Sequence, residues 1–237
     1  MISETKFSHG FSSTWRILAP ATDLFVRKLN ALLRQREFAP LESSTLPERR
    51  AFINEVAFHL FRLDSLRTQL ITTDSGLIST AIQSARLTVS RFERLPATNI
   101  ADPADDERIE IVAQVSRLRQ FFAYTSRDTG IEMEPKFPGC GIIDTCFGDI
   151  RCGETLYEIK AGDRNFRSAD IRQLLVYAAL GKSAGLGPLR QLGLFNPRTG
   201  LSFCMNLDDL CLEVSGTPSE ELLAELIRVF SSGETSR

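Results

Sequence analysis

The sequence predicts a mixed α/β protein: a mainly helical region over residues 1–98, then an α/β core over 99–237 built as helix, three strands, helix, strand and closed by a C-terminal helix. Three observations carry this. Apolar residues recur at helical spacing through most of the first 95 positions. Between 131 and 160 the pattern changes to short apolar or β-branched runs punctuated by glycine. A strongly apolar helical stretch, 167–180, then leads into a hairpin pattern over 192–205.

Taken in order, residues 1–12 read as a loose polar tail and 13–36 as helix interrupted at Pro20, with Leu24, Phe25, Leu29, Leu32 and Leu33 inward. A linker, 39–47, ends at Pro47, which opens the next helix because a first-turn proline loses no hydrogen bond. That helix, through Arg62, turns Phe52, Val56 and Leu60 to the core. Leu70-Ile71 reads as a turn or brief strand, and Ser75 to Glu93 as a helix before Pro96. Asp102 and Pro103 start a helix to about Tyr124, with Ile109, Val112, Val115, Leu118 and Phe122 as its stripe. A strand over 131–137 follows, with Pro135 fitting only an edge position. Further strands run around Asp144 and through Tyr157–Lys160. After 167–180, strands 192–195 and 201–205 flank a turn at 196–200, and a last helix covers 218–230.

The composition, 43% apolar and 24% charged with a net charge of −2, is that of an ordinary globular chain, with no overall basic pull toward nucleic acid. The polar start without an apolar core and the lack of an 18-residue apolar run predict neither signal peptide nor membrane span, hence a cytoplasmic protein. Five cysteines without a Cys-x-x-Cys pair read as free thiols, the even spacing of Cys140, Cys146 and Cys152 being a weak hint of zinc. Gly181-Lys182-Ser183 lacks the upstream glycine of a phosphate loop.

The chemistry concentrates in Gly141-Ile142-Ile143-Asp144 and Tyr157-Glu158-Ile159-Lys160, joined by a bend at Gly148 and Gly153. Alternate residues of a strand share a face, so Glu158 and Lys160 point together. If the Asp144 strand pairs antiparallel with theirs, two carboxylates and an ammonium converge, a set suited to Mg²⁺ or Mn²⁺. In isolation an ordinary surface strand with a salt bridge explains the trio better. Gln173 and Tyr177 then share one face of the following helix, four residues apart.

Together, Asp-x13-Glu-x-Lys and Gln-x3-Tyr resemble the PD-(D/E)XK, or restriction-endonuclease-like, nuclease superfamily and its RecB-like subset, over roughly residues 103 to 210. Ile143 stands where the superfamily's name has proline. The resemblance implies an αβββαβ nuclease core in which Asp144, Glu158 and the Ile159 carbonyl hold metal and Lys160 positions or activates water. Gln173 and Tyr177 would support the site and DNA. Arg164, Arg167 and Arg172 flank it and would put positive charge where a phosphate backbone could run. His59, Glu107 and Glu110 are further ligand candidates by the same resemblance, although a packed histidine and two solvated acids explain them more simply. The implied activity is metal-dependent hydrolysis of DNA, with RNA as another substrate, in a prokaryotic defence or repair system. The alternative is a non-catalytic subunit of the same fold, bound to a protein partner or to copies of itself.

Overall fold

A computed structural model describes residues 1–42, 45–65, 75–93, 100–126 and 130–233. The expectations at Leu70-Ile71 and Pro96 lie outside the described residues.

The N-terminal stretch is ordered, contrary to the expected tail. Helices α1 (Glu4–His9), α2 (Ser12–Leu18) and α3 (Thr22–Lys28) follow one another, and a π-helical turn over Leu29–Leu33 leads to strand β1 (Gln35–Arg36). Phe7, Phe11 and Trp15 order this segment, because all three side chains are buried. Leu24 and Leu32 point outward, being 69% and 77% exposed, while Phe25 and Leu29 face in.

Helices α4 (Arg50–Ser65), α5 (Ser75–Glu93) and α6 (Asp105–Thr125) form a second group. The stripe on α6 is rotated from the expected one. Val115, Leu118 and Phe122 are buried as predicted, but Ile109 and Val112 are exposed, and Ile111, Gln114, Glu107 and Glu110 take the inner face. The polar residues there are paired. Arg49 donates to both Glu107 oxygens, at 2.6 and 2.7 Å, and buried Arg198 pairs with Glu110, which also accepts from Thr45 at 2.8 Å. These contacts commit both acids to pairs with distant parts of the chain.

The expected strand over 131–137 is split. Strand β2 (Glu132–Met133) is an edge, Glu134 has φ +52°, and β3 (Lys136–Phe137) leaves to pair with β4 (Cys146–Phe147) in a separate two-stranded sheet. Strands β5 (Ile150–Cys152), β6 (Thr155–Ile159), β7 (Gln191–Asn196) and β8 (Leu201–Asn206) complete the main sheet. Its order is β1-β8-β7-β6-β5-β2, antiparallel except for the β6–β7 pair. The parallel pair is joined by α7 (Ser168–Ser183), as a parallel connection requires. Helix α8 (Leu207–Ser215), which the sequence reading passed over, and α9 (Ser219–Ser232) end the described chain.

The main sheet has a hydrophobic cluster on each face. Leu156, Leu192, Leu194 and Phe203 pack with α1–α3, α7, α8 and α9. Ile150, Tyr157 and Phe195 pack with α4–α6 on the other side. Residues 1–93 therefore supply helices to both faces and an edge strand, wrapped around the segment that follows. The result is a mixed α/β fold. Among the described residues no helix is long and apolar enough to cross a membrane.

Candidate active site

Hairpin β5–β6 fixes the geometry. Cys152 pairs with Thr155, so the turn is Gly153-Glu154, with Gly153 at φ +59° as such tight turns demand. The register pairs Ile150 with Tyr157. One step further outward, Asp149 lies opposite Glu158, and Oδ2 of Asp149 accepts the Ile159 amide at 2.6 Å. The Lys160 amide continues the ladder to the Phe195 carbonyl at 2.9 Å.

Here the structure departs from the sequence reading. The acid beside Glu158 is Asp149, not Asp144. Residues 141–145 form no long strand: Ile143 makes single bridges to Ile2 and Cys140. Asp144 is exposed, and its carboxylate accepts its neighbour's amide, that of Thr145, at 2.9 Å. The tight turn at Gly153 brings the nearer acid, Asp149, into register with Glu158.

Glu158 and Lys160 do share a face, that of Leu156, directed at α7. Lys160 Nζ donates to Glu158 Oε1 at 3.0 Å and to Gln173 Oε1 at 2.7 Å, with Asp170 Oδ1 at 3.9 Å. Gln173 Nε2 donates to the Tyr177 hydroxyl at 3.0 Å, and that hydroxyl donates to the Phe147 carbonyl at 3.1 Å. Gln173 and Tyr177 are buried, so they act as a tether that fixes Lys160 against α7. The helix itself is set by Ile171, Leu174, Leu175, Ala178 and Ala179, all buried, each large one contributing about 1.5–3 kcal/mol.

The electrostatics are those of a crowded acidic site. Burial raises the Asp149 carboxyl well above the usual range, and the Glu158 charge raises it further. Burial also raises Glu158, against the pull of Lys160. Burial disfavours the Lys160 ammonium, but Glu158, Asp170 and Asp149 outweigh it and hold the lysine charged. The lysine therefore stays an ammonium despite its burial. Oε2 of Glu158 is buried and has no hydrogen-bond partner.

Two acids that sequence reasoning missed join this centre from elsewhere in the chain. Glu55 of α4, partly exposed, is pushed up to about 7 by burial and by the charges of Glu134 and Glu158. Asp170 caps α7 through the Arg167 amide at 2.8 Å and takes a two-pronged pair from Arg164 at 2.7 and 2.8 Å. Burial raises it, but Arg164 and Lys160 bring it below the usual carboxylate range.

The remaining candidates scatter. Arg164 is committed to Asp170, and Arg172 packs its guanidinium 5.6 Å from the Trp15 ring centre. Arg167 is exposed. His59 is buried, its Nε2 3.2 Å from Thr88 Oγ1 and 3.7 Å from Glu55, which matches a packed histidine. Cys146 and Cys152 lie in opposite clusters across the sheet, so the evenly spaced cysteines cannot share a zinc.

Among the described residues no three His, Cys, Asp or Glu side chains form a ready-made metal cage. The donor set nevertheless suits a hard divalent cation. Asp149 and Glu158 stand opposite each other, and the buried Glu158 Oε2 is an oxygen donor with no hydrogen-bond partner. No family model matches the chain, and no curated protein matches it.

Proposed function

We propose that the protein is a divalent-metal-dependent nuclease with a PD-(D/E)XK-type core, acting on DNA. The observation that carries this is the meeting of Asp149, Glu158 and Lys160 at the end of the β5–β6 hairpin, with Gln173 holding the lysine. The site lies at the carboxyl end of β6, beside the crossover to β7, where open α/β sheets bind ligands.

In this reading Asp149, Glu158 and the Ile159 carbonyl would hold Mg²⁺ or Mn²⁺, which would supply charge stabilisation for the phosphate and a lowered pKa for the attacking water. Lys160, kept cationic by three carboxylates, stabilises the extra negative charge on the phosphate and orients the water by donating to it. Gln173 and Tyr177 hold that ammonium in place while the strand ladder fixes its backbone.

The test is incubation of the purified chain with plasmid DNA and Mn²⁺, with and without chelator. Cleavage that needs the ion and is lost in Lys160→Ala supports the assignment. A well-folded protein that never cleaves DNA or RNA would favour the rival reading, a non-catalytic subunit of the same fold.

A further inference from the structure

A cavity of about 310 Å³ opens beside the C-terminal turns of α7. Its walls are apolar. Phe137 of β3, Ala178 of α7, Leu207 at the start of α8 and Leu223 of α9 all line it, and all belong to the buried cluster on this face of the sheet. Leu186 and Pro188, in the loop after α7, also line it but are exposed, so they stand at its mouth. At ~30 Å³ per water the space equals about ten waters, the lower end of the range for ligand pockets.

One unmatched cation reaches this cavity. Side chains alternate along β5, so Arg151 shares a face with Asp149 and stands opposite Leu156. Arg151 Nε donates to the Gly153 carbonyl at 2.8 Å, and Nη2 donates to the Gly187 carbonyl at 3.2 Å, which brings the guanidinium to the loop at the mouth. Glu132 lies across the ladder from it, yet among the described residues no carboxylate pairs with Arg151. The other polar groups at the rim are matched. Lys182 pairs with the Glu220 carboxylate and donates to the Glu220 carbonyl at 3.2 Å. The amide and hydroxyl of Ser219 both donate to Asp208, at 2.8 and 2.9 Å.

These facts select the occupant. A guanidinium has five N–H donors, and the two carbonyl bonds leave enough of them for an acceptor with two oxygens. One cation balances one negative charge, which suits a carboxylate better than a phosphate monoester carrying nearly two. The apolar walls take an apolar body, and the volume limits that body to about ten non-hydrogen atoms.

The cavity also meets the candidate active site at one ring. Phe137 stacks on Tyr177, with ring centres 5.1 Å apart and planes 26° from parallel. The Tyr177 hydroxyl accepts from Gln173, whose oxygen receives Lys160. A ligand against Phe137 therefore touches the ring that backs the tether of the lysine.

We propose that this cavity is a binding site for a small carboxylic acid with an apolar body, its carboxylate held by Arg151 and its body against Phe137, Ala178 and Leu223. Such a site stands whether or not the chain cuts DNA.

The experiment is an NMR titration of the full chain with octanoate, octanol and acetate, on wild type, Arg151→Met and Leu186→Trp. Wild type should bind octanoate with a dissociation constant of about 1 mM or tighter. Octanol, which keeps the chain and lacks the charge, should bind about tenfold or more weakly, and acetate weaker still. Arg151→Met should bind octanoate no better than octanol. Leu186→Trp, a bulky change at an exposed position of the mouth, should weaken both ligands with the melting temperature unchanged. If wild type fails to bind octanoate, or binds octanol or acetate equally well, the proposal is overturned. Full octanoate affinity in Arg151→Met would overturn it too. Should Arg151→Met lose its fold with its two carbonyl bonds, the three probes on wild type and Leu186→Trp still decide.

Discussion

The Ile159 amide donates to Oδ2 of Asp149 at 2.6 Å, so the acid at the end of β5 is tied to the backbone between Glu158 and Lys160. This bond sets which acid belongs to the site. It also makes the position of that acid depend on one hairpin register, because a slip by one residue would turn every side chain of β5 to the opposite face.

The buried pair between Arg198 and Glu110 should matter for stability. Arg198 also donates to the Ala161 carbonyl at 3.1 Å and to Asn54 at 2.7 Å, tying α6 and α4 to the loop after Lys160. Arg198→Met leaves Glu110 buried without its cation and should cost about 3–5 kcal/mol. Urea denaturation reads this directly. Adding Glu110→Gln to the variant should recover part of the loss, and failure to recover any would show that the cost lies in packing.

Glu107 gives a pH signature. Its two-pronged contact with Arg49 holds its carboxyl below the ordinary value, with the Ala104 amide adding to the effect. Between the folded and unfolded values the unfolded chain binds more protons. The contact therefore stabilises above the ordinary glutamate value of about 4.3 and is lost as pH falls through the lower folded value. Melting temperatures of wild type and Arg49→Met should differ at pH 7 and converge toward pH 3. A gap independent of pH would contradict this.

Gly193 is a packing requirement of the parallel pair. A Cβ there would stand 2.3 Å from a carbon of the Tyr157 ring, which is held edge-on by Phe121 and Phe122. Gly193→Ala should destabilise by about 1–3 kcal/mol through overpacking, seen as a lower urea midpoint. An unchanged midpoint would mean that the ring can move aside.

Much of this could be read from the sequence, and the failures have physical causes. The helical periods of α4, α7 and α9 were legible because apolar residues dominate their inner faces. Gln173 beside Lys160 was legible because both lie within one short strand–helix unit. On α6 the inner face carries Glu107 and Glu110, buried by distant Arg49 and Arg198, so apolarity pointed to the wrong stripe. The register was decided by the turn at Gly153, and counting back from it would have found Asp149 nine residues before Glu158 in place of Asp144. Glu55 comes from far along the chain, and no local pattern marks it.

The most direct test compares Asp149→Asn with Asp144→Asn in Mn²⁺-dependent cleavage of plasmid DNA. Both changes remove one charge and keep the side-chain shape. Loss of cleavage by at least about a hundredfold in Asp149→Asn, the scale on which one stabilising group of a reaction centre acts, with near wild-type activity in Asp144→Asn, is the predicted result. The reverse pattern, or full activity in both, would contradict the account.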